Sequence, residues 1–214
     1  MSLMSIQTKM TSNKSKQEVR ESMPKVDMMT QVYFIRHAEP NYQNHNDVTR
    51  ELSEHGVKAS QDLVRQLAEV SIDAFYSSPY KRSIDTIAPL AASRAMEIKL
   101  IDDLRERKLA DAWIEDFVDT AKKQWADFTF KLPTGESLQE VQDRNIAALN
   151  RILKEAKGKT VVIGTHGTAL STLINYYQPD FGFEDFDRYK QVFPWIVRAS
   201  FDGDKLLGLN EFLV

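Results

Sequence analysis

The sequence predicts an α/β fold: a three-layer sandwich with a mostly parallel central sheet, helices on both faces and a C-terminal hairpin. Three observations carry this expectation. Short apolar runs alternate along the chain with amphipathic stretches, the pattern of a parallel sheet covered by helices. Two of those runs, Val32-Tyr33-Phe34-Ile35 and Thr160-Val161-Val162-Ile163-Gly164, carry no polar alternation, as expected of strands buried on both faces. Near the end of the chain, two strand-like segments flank Phe201-Asp202-Gly203-Asp204, a hairpin signal.

The elements follow in order. Residues 1–30 are rich in Ser, Lys, Gln, Thr and Met with little apolar periodicity, and are expected to form a mobile tail or a poorly placed helical arm. The opening Met1-Ser2-Leu3 ahead of Met4 has the look of a cloning remnant. Residues 31–36 read as a buried strand, and a polar loop with Asn41, Asn44 and Asn46 follows. Ser53 caps a helix to about residue 70, with Val57, Val64, Leu67 and Ala68 on one face. Ala74-Phe75-Tyr76 is a short strand ended by Ser77-Ser78-Pro79. A helix begins near Tyr80 with Ile84, Ile87 and Ala91 inward, and Pro89 predicts a kink or break in it. Glu97 to Ile101 is a third strand. Residues 111–128 form an amphipathic helix bearing Trp113, Ile114, Phe117 and Trp125, and Pro133-Thr134-Gly135 is a turn. Ser137-Leu138-Gln139-Glu140 is a capping box that opens a long helix to about Lys157, ended by Gly158. The strand at 160–164 precedes a helix from about Thr168 to Tyr177, and Gln191–Phe201 pairs with Lys205–Phe212.

Composition narrows the function. The 214 residues suffice for one α/β domain with a full core. A net charge of −3 argues against nucleic acid as a partner, which would call for a broad basic excess. The chain has no cysteine, which removes disulfides, thiolate metal sites and a cysteine nucleophile. No apolar stretch is long enough to span a membrane, and no charged-then-apolar leader is visible, so a cytoplasmic location is expected. No internal repeat or interdomain linker appears, and oligomeric state is not readable.

Ligands of such sheets bind at the carboxyl ends of the strands. Arg36-His37-Ala38-Glu39 closes the first apolar run, His166 closes the second, and Ser77-Ser78-Pro79 ends the strand before Arg82. Sequence order alone therefore brings two imidazoles and two guanidiniums to one rim. That is a site for an anion, phosphate foremost. A neutral imidazole can attack phosphorus and form a phosphohistidine that water then cleaves. Guanidiniums hold the non-bridging oxygens, and an acid protonates the leaving oxygen. The nearest carboxylates to strand ends are Glu39 and Glu106, with Asp102 and Asp103 as alternatives in the same loop as Glu106.

Arg36-His37-Ala38-Glu39, Ser77-Ser78-Pro79-Tyr80-Lys81-Arg82, Leu104-Arg105-Glu106 and Thr165-His166-Gly167 resemble the motifs of the histidine phosphatase superfamily, phosphoglycerate mutase-like branch. Leu52-Ser53-Glu54-His55-Gly56 and Gly135-Glu136-Ser137 resemble its weaker intermediate motifs. The resemblance runs from about residue 31 to 200 and implies one such domain over 31–214. It implies that His37 is the nucleophile, that Arg36, Arg82 and His166 form the phosphate pocket, that Glu106 is the acid, and that Glu39 supports the site. Two departures are visible. Ala38 stands where glycine is frequent, and Ala110-Asp111-Ala112-Trp113 lacks the glycines of a Gly-x-Trp-x-Gly pattern.

The expected function is thus metal-independent hydrolysis of a small phosphomonoester, with no cofactor. Asn41, Asn44 and Thr168 are candidate substrate contacts. A phosphoglycerate mutase-type transfer is the alternative, although the family's mutases carry longer insertions at the acid loop and the C terminus. A metal hydrolase is disfavoured by single histidines beside arginines, and a non-catalytic phosphate-binding module by the retention of every catalytic group. His45 and His55 are expected in solvent, and Trp113, Phe117 and Trp125 in core or lid packing.

Overall fold

The structure, a computed structural model, describes residues 29–111 and 116–211. The tail expected over 1–30 falls almost wholly outside the described residues, as do Trp113 and Ile114. Among those described, six strands form one sheet: β1 (Thr30–Arg36), β2 (Ala74–Ser77), β3 (Ile98–Leu100), β4 (Thr160–Thr165), β5 (Trp195–Asp202) and β6 (Lys205–Glu211). Their spatial order is β3-β2-β4-β1-β5-β6. The pairs β2–β3, β2–β4 and β1–β4 are parallel. The hairpin β5–β6 adds antiparallel to β1 and extends the same sheet. The helices are α1 (Glu54–Gln66), α2 (Lys81–Ser93), α3 (Phe117–Ala126), α4 (Leu138–Glu155), α5 (Gly167–Tyr177) and α6 (Phe183–Tyr189). None of the described helices is long and apolar enough to cross a membrane.

The unbroken apolar runs are explained by the two cores. Successive side chains of a strand point to opposite faces. Val32, Phe34, Val161 and Ile163 pack with Leu149, Ile152, Leu170 and Leu173 of α4 and α5. Tyr33, Ile35, Phe75 and Val162 pack with Leu63 of α1, the adjoining Leu67, and Ile87 and Leu90 of α2. Each fully buried Leu, Ile or Phe contributes about 1.5–3 kcal/mol, so β1 and β4, with both faces covered, are the most heavily stabilised strands.

Local departures from expectation have local causes. Ser53 caps α1 as expected, through its side chain and the Gly56 N–H. The inner face of that helix, however, is Gly56, Ser60 and Leu63, while Val57 is 44% exposed. Gly56 is required there, because a Cβ would lie 2.1 Å from the Glu39 carbonyl oxygen. Helix α2 runs through Pro89 without a break. One forfeited backbone bond is outweighed by burial of Thr86, Ile87, Leu90 and Ala91 around it. The capping box of Ser137 and Glu140 is present, and Gly158 beyond the end of α4 has φ +73. Helix α6 has no counterpart in the sequence reading, its polar Glu-Asp-Asp-Arg content masking a short apolar face. Strand β5 begins at Trp195 rather than Gln191. The preceding residues turn their carbonyls to Arg36 instead of to a neighbouring strand.

Candidate active site

Strand register builds the site. Arg36 stands opposite Thr165, the last residues of parallel neighbours β1 and β4. The ladder runs one step further, with the His37 N–H donating to the Thr165 carbonyl at 3.0 Å and the Ser78 N–H to Gly164 at 3.1 Å. His37 and His166 therefore stand abreast, ring centroids 5.3 Å apart and inclined at 62°. His166 is fully buried and His37 is 6% exposed.

The His37 ring has a defined tautomer. Its Nδ1 lies 2.8 Å from the Ala38 carbonyl oxygen, which can only accept, so Nδ1 carries the hydrogen and Nε2 the lone pair. The turn is held from α2, where Thr86 Oγ1 accepts from the Ala38 N–H at 2.8 Å. Burial, then the positive charges of Arg82 and Arg36, hold His37 well below the usual imidazole range. Burial and Arg82 do the same to His166. His166 Nε2 is 2.7 Å from Ser78 Oγ, and its buried Nδ1 has no partner.

Arg36 is clamped by the segment before β5. Its Nη1 donates to the carbonyls of Tyr189 (2.7 Å) and Val192 (3.2 Å), and Nη2 to that of Lys190 (3.0 Å). Its guanidinium carbon lies 4.0 Å from the centroid of the Phe193 ring, and Gly167 leaves it room, since a Cβ there would come 3.2 Å from Nε. Burial lowers the Arg36 pKa to about 10, against the pull of Glu106 and Tyr42, which leaves it cationic near neutrality. Arg82, in the first turn of α2 and 3% exposed, donates to Asp47, through the backbone carbonyl and a 3.0 Å ion pair with the carboxylate.

Glu106 follows the short 3-10 turn Asp102–Leu104 at the end of β3. Its carboxylate accepts from the Thr168 and Ala169 N–H groups at the start of α5, at 3.0 and 3.1 Å, and from the Arg107 N–H at 2.8 Å. A helix N-terminus favours negative charge at this position. The other carboxylates face elsewhere. Glu39 accepts from Ser53 Oγ at 2.6 Å, Asp102 pairs with Arg105, and Asp103 pairs with Arg151. Of the candidate substrate contacts, Thr168 is buried beside Glu106. Asn41 and Asn44 both donate their side-chain amides to Glu51, at 2.6 and 2.8 Å, and so brace the loop that carries Asp47. His45 and His55 are exposed, and Trp125 packs on Phe128, Phe181 and Phe186. Among the described residues no group of three or more His, Asp or Glu converges as a metal would require.

This geometry gives the comparisons with known proteins their meaning. The family model described as "Histidine phosphatase superfamily (branch 1)" matches residues 32–207, the whole span from β1 into the hairpin. The chain belongs to branch 1 of the histidine phosphatase superfamily. It is 31% identical over 166 residues to phosphoglycerate mutase-like protein 4 of Arabidopsis thaliana, covering 70% of this chain and 71% of that one. A metal-independent phosphoserine phosphatase of the same plant is 28% identical over 160 residues, covering 68% and 67%. In fold it is similar to the mycobacterial glucosyl-3-phosphoglycerate phosphatase, with a TM-score of 0.69 at 17% identity over 86% of this chain and 97% of that one. As a histidine phosphatase, the chain is an enzyme of the phosphatase type.

Several residues of this histidine phosphatase's site escape sequence reasoning. Phe193 stacks on both Arg36 and His37, and Asp47 comes from a loop with no motif. Ser78 was visible within Ser-Ser-Pro, but nothing in that tripeptide says that its hydroxyl meets His166.

Proposed function

We propose that this chain hydrolyses a small phosphomonoester without a metal, through a phosphohistidine on His37. One observation carries the reading: the Nδ1–H bond to Ala38 leaves the Nε2 lone pair for attack, inside a pocket where burial, and then two cations, hold the ring neutral. Nε2 attacks phosphorus, and the bond to the leaving oxygen breaks with its electron pair. Glu106, as the acid, gives a proton to that oxygen. Arg36, Arg82 and His166 hold the non-bridging oxygens, and the unpartnered Nδ1 of His166 and Nε of Arg36 are buried polar atoms that an anion would satisfy. The Ala38 carbonyl stabilises the positive charge that develops on the phosphorylated ring. In the second half, Glu106 takes a proton from water, whose oxygen attacks phosphorus. The N–P bond then breaks and returns its pair to Nε2.

Rapid quenching with radiolabelled substrate tests this. An acid-labile, alkali-stable phosphoprotein is expected in the wild type and none in His37→Ala, with turnover abolished and wild-type turnover unchanged by a chelator. Full activity of His37→Ala would falsify the nucleophile assignment. Similarity to a phosphoglycerate mutase-like protein supports a second reading, in which the phosphoryl group returns to another hydroxyl of the same substrate. Following phosphoglycerate isomerisation beside phosphate release separates the two. Phosphoserine and phosphoglycerate head the panel of esters, because the relatives bear those names.

A further inference from the structure

The loop that carries Glu106 is held from two sides. Its side chain is fixed by the α5 N-terminus. Its backbone is fixed by Arg144 of α4. Arg144 Nη1 donates to the carbonyls of Asp103 at 2.8 Å and Arg105 at 2.6 Å, and Nη2 donates to that of Glu106 at 3.1 Å. The same guanidinium makes a fork with Glu136, Nε to Oε1 and Nη2 to Oε2, each at 2.9 Å. These contacts engage all five donors of the guanidinium. Glu136 in turn accepts from the Lys108 N–H at 2.9 Å and from Arg105 Nη2 at 3.1 Å. One ion pair thus grips the chain on both sides of residue 106.

The sequence arranges for this reach. Glu136 sits just ahead of the Ser137 cap of α4. Gly135 lets its turn lie flush on the loop, since a Cβ there would stand 2.1 Å from the Leu109 carbonyl oxygen. The Glu136 N–H then donates to Lys108 at 2.7 Å. Charge is balanced within the pair, and Arg144 keeps no free donor for a substrate.

We propose that Arg144 and Glu136 are positioning residues, which set where the Glu106 carboxyl stands against the leaving oxygen. The inference rests on Glu106 being the acid. A loop at the end of a three-residue strand would otherwise drift, and displacement of a reacting group by about 1 Å costs on the order of a hundredfold in rate.

The test uses leaving-group dependence in the full-length chain. A nitrophenyl ester needs little help from an acid, whereas an alkyl ester needs much. The esters are compared in kcat/KM, which reports leaving-group departure and not the later water step that Glu106 also serves; Glu106→Gln sets the reference and is expected to lose far more on the alkyl ester. Arg144→Met is expected to lower kcat/KM on the alkyl ester by about tenfold or more, within the range general acids supply, and on the nitrophenyl ester only slightly. Glu136→Gln should repeat this pattern more weakly and serves where Arg144→Met folds poorly. In the double variant Glu106→Gln with Arg144→Met, no further loss is expected. If Glu106→Gln shows the contrast but Arg144→Met and Glu136→Gln lower both esters equally, the clamp is refuted and the acid stands. If Glu106→Gln itself lowers both equally, the acid assignment falls and takes the clamp with it.

Discussion

Two imidazoles buried side by side make stability sensitive to mild acid. His37 and His166 are both held well below the ordinary histidine range, first by burial and then by the Arg82 charge. Above the unfolded value of about 6.5, neither the folded nor the unfolded chain binds protons at these rings. Below it, the unfolded chain takes up two protons that the folded protein refuses, so stability falls as pH falls. Going from about pH 7 to about pH 5.5 costs roughly 1.2 kcal/mol per ring, about 2.5 kcal/mol for the pair, while the folded values stay below that window. Carboxylates with lowered values, such as Glu51 and Glu136, withdraw their contributions only below about pH 4 and do not enter. Urea unfolding followed by tryptophan fluorescence at the two pH values measures the loss. His37→Gln and His166→Gln should each remove about half of it. A loss under about 0.5 kcal/mol, or one that both variants retain in full, would refute the claim that these rings are buried neutral. The same burial and charges keep Nε2 of His37 unprotonated in mild acid, where an acid catalyst can still act. The rate optimum is therefore expected on the acidic side of neutral, and a rate rising steadily into alkali would count against Glu106 as acid.

Two further outcomes follow from contacts at the proposed phosphate pocket. Asp47 occupies part of the Arg82 fork from a half-exposed position, and such pairs contribute about 0–1 kcal/mol. Asp47→Asn should tighten inhibition by inorganic phosphate about two- to fivefold, and unchanged or weaker inhibition would remove Asp47 as a competitor for that guanidinium. Gly167→Ala places a methyl 3.2 Å from Arg36 Nε, where Phe193 and three carbonyls leave the guanidinium little room to yield. Phosphate affinity should fall about three- to tenfold with the thermal midpoint nearly unchanged, and wild-type inhibition constants would show that Arg36 shifts freely.

The strands and the rim were legible because burial on both faces writes itself as unbroken apolar runs, and the residue after each run must emerge at the sheet edge. Ser53, Ser137 with Glu140, and Gly158 were readable because capping is local chemistry. Helix α6 was not, because Phe186 packs on Trp125, far away in the chain, while Phe183 packs on Phe186 beside it. The third strand, expected over Glu97 to Ile101, shrinks to Ile98–Leu100 at the sheet edge, where Leu100 is 54% exposed.

From the sequence alone came the element order, the four motifs, the family resemblance and the identity of the two histidines, since each is encoded within a few neighbouring residues. Only the tertiary structure decided which ring nitrogen of His37 holds the lone pair, that Glu106 rather than Glu39, Asp102 or Asp103 sits at the start of α5, and that Arg144 and Glu136 grip its loop. The first depends on how the His37 ring turns toward the carbonyl of the next residue, which the letters do not specify; the other two depend on segments tens of residues apart, where a helix end or a guanidinium arrives from elsewhere in the chain and no local pattern records its coming.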